Sequence, residues 1–267
     1  MRLNHSRLVL AVGLILALAG CAPQRLGVPD LSVTPRRARY EAALERRTER
    51  VAADAELSAW VSGSALPDLP GVSARLVLVA PDAFRLRVGS LFGTALEVSA
   101  RGDSFVAYVP ARRMVLETGT ARDSLGLGDP GGLGYRMWSA AWAPPEAAWG
   151  SATWQDSLLV LRWIEDSDSV RLAVGSHGQP HWVEMSRGEA NGVRAGYLGW
   201  TVFDGVMWPS QFVIEDGRGS YGLRCKVQSV QFRRRPERAR LAVSVPDDAQ
   251  RVSREDLQRA IERLGKL

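Results

Sequence analysis

The apolar positions of this chain change period along its length, and each change predicts an element. From residue 56 the period is two. Leu57, Ala59 and Val61 alternate with Ser58, Trp60 and Ser62; Phe84, Leu86 and Val88 with Arg85 and Arg87; Leu96 and Val98 with Glu97 and Ser99. Alternation of this kind sends the two sets of side chains to opposite faces of a strand. Breaks containing Pro, Gly or Asp at 67–71, 81–82, 90–93 and 102–103 separate the runs, and Pro110 separates 105–109 from 114–116. Short strands with turn chemistry between them predict an antiparallel meander. A second series occupies 157–164, 170–174, 182–185, 193–203, 206–214 and 221–232, with Asp204-Gly205 as a hairpin signal. Residues 157–164 are apolar on both faces except at Arg162, which predicts a central strand. Tyr221, Leu223, Cys225 and Val227 face one way, Arg224, Lys226 and Gln228 the other, and Leu241, Val243 and Val245 predict a last strand. The total is about eleven strands in one highly curved antiparallel sheet.

Helical spacing flanks and interrupts the sheet. Residues 35–53 follow Thr34-Pro35, an N-cap and a Pro at the first helical position, and place Glu41, Glu45 and Glu49 within reach of arginines at i+4. Residues 133–142 predict a short helix with Met137, Trp138, Ala141 and Trp142 on one face, ended by Pro144-Pro145. Ser253 begins a C-terminal helix with Leu257, Ile261 and Leu264 as its stripe. The Gly-rich stretch 119–132 lacks the Lys-Ser/Thr ending of a phosphate loop.

The N-terminus reads as a leader. Arg2 and Arg7 precede an apolar run at 8–18, short of the roughly 20 residues that span a bilayer. The run closes on Leu18-Ala19-Gly20-Cys21, a lipobox: cleavage before Cys21 and its acylation, palmitate included, would anchor the chain to a membrane. Ala22 follows. In many Gram-negative bacteria an Asp at that place retains lipoproteins at the inner membrane, so Ala22 points to the periplasmic face of the outer membrane. The expected organisation is a signal peptide at 1–20, a tether at 21–34 with Pro23, Gly27 and Pro29, a sheet domain at 35–232, and an extension at 233–267.

Composition narrows the function. Hydrophobic residues make up 46% and charged residues 24% of 267, an ordinary globular balance. The formal charge is +5, but the arginines are scattered along strands, and an exported address argues against nucleic acid. With Cys21 assigned to lipid, Cys225 has no partner for an intramolecular disulfide and reads as a buried, inert thiol. His177 and His181 lie in a Gly/Pro turn with Glu184 the one acid nearby, so no metal site is expected. No Gly-x-Ser-x-Gly elbow exists, and Glu165/Asp166 and Asp247/Asp248 suit solvated turns. No catalytic set, metal or cofactor emerges, and a non-enzymatic protein is expected. The cluster Arg233-Arg234-Arg235 with Arg238 and Arg240 reads either as a contact for phospholipid headgroups or as a solvated edge. Most of the nine tryptophans read as core. Leu91-Phe92 at a hairpin tip is poorly placed for a core; it is either covered by a neighbour or is an exposed tip made to enter a membrane or a partner.

The order of features carries a resemblance. A tether and an Arg-rich helix precede Trp60-Val61-Ser62-Gly63, and the run from Phe84 to Val98 follows with its turn at 89–94. Met137-Trp138 comes before Pro144-Pro145, and Trp208-Pro209-Ser210 enters the strand ending at Asp216-Gly217. Over roughly residues 36–232 this is similar to LolB, the outer-membrane receptor for lipoproteins, and to the wider LolA/LolB superfamily. The resemblance implies an incomplete, highly curved β-barrel around an apolar cavity that holds acyl chains, lidded by short helices. It implies that the hairpin at Leu91 and Phe92 helps deliver cargo into the membrane. The family hairpin often carries Pro-Leu-Gly, where this chain has Leu91-Phe92-Gly93. Candidate cavity residues are Phe84, Leu86, Leu96, Phe105, Met137, Trp138 and Trp142; alternation alone does not say which strand face is concave. The expected protein is a monomeric, anchored lipoprotein that binds acyl chains of lipids or lipoproteins, with lipoprotein localisation to the outer membrane as the process the resemblance implies. The alternative is an envelope scaffold or sensor whose core fills itself.

Overall fold

Alternating runs become strands where their apolar sets find partners on one face. The computed structural model describes residues 32–50, 52–63, 71–90, 93–118, 129–187, 191–216, 221–233, 238–253 and 256. The lipobox with Cys21, and Leu91 and Phe92, lie outside them. The N-terminal strands are β1 (Ala52–Gly63), β2 (Val72–Val79), β3 (Ala83–Ser90), β4 (Gly93–Arg101), β5 (Ser104–Val109) and β6 (Met114–Thr118). Among the described residues two helices follow, α2 (Pro130–Ser139) and α3 (Glu146–Gly150), and α1 (Val33–Thr48) precedes β1. The second series is β7 (Thr153–Gln155), β8 (Leu158–Glu165), β9 (Asp168–Val174), β10 (Pro180–Arg187), β11 (Asn191–Phe203), β12 (Val206–Asp216) and β13 (Tyr221–Arg233), with a short β14 (Gln250–Arg251).

These strands make one 14-stranded sheet in the order β14-β6-β5-β4-β3-β2-β1-β13-β12-β11-β10-β9-β8-β7. The fold is mainly β, a large open curved sheet with few helices, as the period-two pattern predicts. Two meanders, β1–β6 and β7–β13, are joined where β1 pairs antiparallel with β13 (Ala59 opposite Cys225, Ala55 opposite Val230). The register shifts between Glu56 and Leu57, where Gln228 is the extra residue of β13. That bulge lets Cys225 and Val227 share a face with Val230 and Phe232 despite the change of parity.

Several boundaries differ from the expectation. α1 ends at Thr48 and β1 begins at Ala52, although 35–53 reads as one helix. Ala52-Ala53-Asp54-Ala55 has the composition of a helix, but it is flanked by Val79–Leu76 on one side and by Arg233–Val230 on the other, and tertiary pairing overrides propensity. α1 starts at Val33 with Ser32 as N-cap, which places Pro35 inside the first turn, where its missing N–H leaves no bond unmade. α2 starts three residues before the expected 133, because the Asp129 carboxylate accepts from Gly132 N at 2.8 Å. It ends at Ser139, with Ala140 in the left-handed region, so Ala141 and Trp142 lie beyond the helix. β8 is not central: only the three-residue β7 lies beyond it. On its second face Val160 is nevertheless buried, beside Ala173.

The extension does not add a strand at 241–245. Residues 238–249 instead cross the convex face. Leu241 packs with Ala52, Val79 and Ala83, and Val243, Val245 and Ala249 pack with Tyr108 and Val115. The Ser99 hydroxyl donates to Leu241 O at 2.7 Å. The crossing ends as β14, parallel to β6, with Gln250 N donating to Arg113 O and Val252 N to Val115 O. Ser253 Oγ accepts from Asp256 N at 3.2 Å, and the rest of the expected C-terminal helix lies outside the described residues.

Candidate functional site

The main core lines one face of the sheet, and this face is the concave one because α1 and α2 lie against it. On β2 to β4 it is formed by Leu76, Leu78, Phe84, Leu86 and Ala100, and on the other meander by Leu161, Leu172, Val183 and Phe212. The register carries the face across each joint: Leu78 stands opposite Phe84 and Ala53, and Leu172 opposite Leu161 and Val183.

One end of this concavity is capped. α1 lies across the β9–β10 turn and the start of β8: Arg36 Nη1 donates to Ser157 O at 2.8 Å and Val174 O at 3.2 Å, its guanidinium over the Trp154 ring. Arg39 donates to Ser176 O, and Arg37 pairs with Glu146 of α3. At the other end of α1, Arg47 is buried over the Trp200 ring and donates to Ala140 O at 3.3 Å. Burial pushes its pKa below the ordinary arginine value.

α2 and the segment after it fill the middle. Gly134 packs directly on the Phe84 ring, where a Cβ would lie 2.1 Å from Cε1. Trp138 meets Phe212 edge-on, ring centroids 5.3 Å apart. A buried chain of hydrogen bonds ties the layers. Tyr40 of α1 donates to Trp142 O, Trp142 Nε1 donates to Tyr197 Oη at 3.0 Å, and Tyr197 donates to Met137 O at 3.0 Å. Burial raises both tyrosine pKa values well above the usual phenol range.

The opposite end differs. Along β2, Leu76 and Leu78 are buried while Val72, on the same face, is only partly so. Val88, Leu96, Val193, Ile214 and Leu223 repeat this toward the same end of other strands: partly buried, apolar and on the concave side. Ile164, 71% exposed, stands near this rim, next to the β8–β9 turn. The β3–β4 hairpin rises from it, and its last described pair is Ser90 opposite Gly93, whose φ of +120° is open to glycine. Residues 64–70, 188–190 and 217–220 lie outside the described residues.

The residues singled out from sequence are distributed as follows. Phe84, Leu86, Met137, Trp138 and Trp142 are buried in the main core. Phe105 packs partly buried against it, near the capped end, and Leu96 lies toward the open rim. Val72, Val193, Ile214 and Leu223 were not singled out, because alternation reports a face and not a height along the strand. Cys225 is buried on the concave face, its thiol pushed up to about 12 by burial. Burial and the charge of Arg36 lower the pKa of His181. Among the described residues no group of three or more His, Cys, Asp or Glu is placed to hold a metal. Glu165 pairs with Arg136 and Asp248 with Arg113.

The architecture is therefore an open, curved antiparallel sheet with short helices on its concave side. No family model and no curated protein matches the chain. Among solved structures, it is similar to a LolA superfamily protein of Nitrosomonas europaea at 13% identity and a TM-score of 0.52, over 78% of this chain and 97% of that one. It is also similar to a proposed outer-membrane lipoprotein-sorting protein domain of Vibrio parahaemolyticus at 13% identity and a TM-score of 0.50, over 76% of this chain and 97% of that one. Likeness at this identity establishes the fold.

Proposed function

We propose that this protein is a non-enzymatic lipoprotein, held by acyl chains on Cys21 at the periplasmic face of the outer membrane, that takes acyl chains of a lipid or lipoprotein into its concave face. It acts as a monomer. The observation that carries this reading is the gradient of burial along the concave face, from a capped end to a rim where Val72, Val88, Leu96, Val193, Ile214 and Leu223 stay partly buried. Covering such side chains with hydrocarbon is favourable by roughly 25 cal/mol per Å² of apolar surface. The fold shared with a LolA superfamily protein and a proposed lipoprotein-sorting domain supports the same cargo class and an envelope location. Leu91 and Phe92, between β3 and β4 in the chain, would bring the mouth to a bilayer or to a partner.

A second reading has its own observation. Met137, Trp138 and Trp142 pack the middle of the concavity, as in a scaffold or sensor whose core fills itself. The two are separated by purifying the protein with Cys21→Ser and extracting it for mass spectrometry. Lipid at near-stoichiometric level supports the carrier; lipid-free protein that also takes up no added acyl probe sinks it. Phe92→Asp should abolish cargo transfer to liposomes while leaving the melting temperature unchanged, and unchanged transfer would count against the hairpin.

A further inference from the structure

The convex face carries a cluster of charges that the concave site does not use. Asp54 on β1 is buried, and three guanidiniums converge on it. Arg75 donates through Nε to Oδ1 at 2.8 Å and through Nη2 to Oδ2 at 2.6 Å. Arg240 Nη1 donates to Oδ2 at 2.7 Å, and Arg233 Nη2 lies 3.8 Å from the same oxygen. Beside them Arg85 Nη2 donates to Glu97 at 2.6 Å, with Arg87 Nε 3.4 Å from its other oxygen. Arg85 Nη1 also donates to Arg240 O at 3.0 Å, which joins the two groups. Glu56, opposite Arg75 in the ladder, is the third acid. Among the described residues, five guanidiniums and three carboxylates meet here.

Holding the crossing segment in place explains Arg240 and Arg85. It does not explain Arg75 and Arg233, which add charge to a carboxylate already bonded. Each guanidinium has five N–H donors, and one carboxylate offers about four lone-pair sites. Arg75 keeps 56% and Arg233 35% of its side-chain surface exposed, so donors remain on the solvent side of Asp54. Like charges this close repel unless an anion joins them. A tetrahedral oxyanion has enough oxygens to bridge guanidiniums from different strands, and arginine matches phosphate in bidentate geometry.

We propose that Arg75, Arg233 and Arg240 form a phosphate-binding site on the convex face, preorganised by Asp54, for inorganic phosphate or the phosphate of a lipid headgroup. The site is independent of the concave face. The test uses the full chain with Cys21→Ser at low ionic strength. One arm titrates inorganic phosphate by calorimetry. The other measures co-sedimentation with phosphatidylcholine vesicles, with and without phosphatidylglycerol. Arg233→Gln leaves Asp54 bonded to Arg75 and Arg240, so the fold should persist; Arg75→Gln is the second variant. Each should weaken binding about tenfold, the loss of one charge-assisted contact. Loss in the phosphate arm identifies the free ion as a ligand; loss confined to phosphatidylglycerol vesicles identifies the headgroup. No binding in either arm, or binding that both variants leave unchanged, overturns the proposal.

Discussion

Tyr197→Phe removes a single oxygen from the middle of the protein and leaves the ring packing as it was. The oxygen accepts from Trp142 Nε1 and donates to Met137 O, both at 3.0 Å, and Tyr197 is 3% exposed. Its loss orphans a buried donor and an acceptor. Each unpaired buried group costs about 1–3 kcal/mol, so the variant should lose about 2–6 kcal/mol. For a domain of this size 1 kcal/mol moves the melting temperature by about 2–4 °C, which predicts a fall of at least about 4 °C by circular dichroism. Trp142→Phe supplies the control. It deletes the donor that Tyr197→Phe would orphan, so the double variant should cost about 1 kcal/mol less than the sum of the singles. A fall below about 2 °C, or strict additivity, would refute the claim that this network docks α2 and its following segment onto β11.

Two further outcomes test other parts. The Arg75 guanidinium holds the Asp54 carboxyl below the usual carboxylate range, so its stabilisation is complete above the ordinary Asp pKa near about 4 and is lost as pH falls through the lower folded value. Urea midpoints of the wild type should therefore fall more steeply than those of Asp54→Asn as pH drops below about 4; parallel curves would remove Asp54 from the acid response. Cys225 should not react with a disulfide reagent at neutral pH in the native protein, and should react once the chain is unfolded in urea, since burial pushes its thiol up to about 12. Native labelling at the unfolded rate would place the sulfur in open space.

Strands and faces were legible where the signal is local. The alternation of Phe84, Leu86 and Val88 with Arg85 and Arg87 is enough to separate a core face from a charged one, because strand geometry has period two. Which face is concave is not local, and follows from the packing of α1 and α2, with Gly134 against Phe84. The Ala52–Ala55 stretch misled because its helix propensity yields to two ladders whose partners lie far along the chain. The bulge at Gln228 was invisible for the same reason. The tail from Leu241 to Val245 alternates as a strand does, yet its apolar side chains cover the outside of the sheet. The Asp54 cluster draws residues from β1, β2, β13 and the extension, and no spacing along the chain announces it.

The junction of β1 with β13 sets the order in which the molecule can be made. Ala52 pairs with Arg233 and Gly63 with Tyr221, whereas almost every other ladder joins strands that follow one another. Each meander has the short-range contacts that fold quickly, but their union must close a loop of most of the chain. A chain emerging N-terminus first can fold β1–β6 long before β13 exists, and must then hold half of its apolar face without the other half. The concavity comes into being last, and until then α1 and the edge of β1 wait for a partner that the chain has not yet delivered.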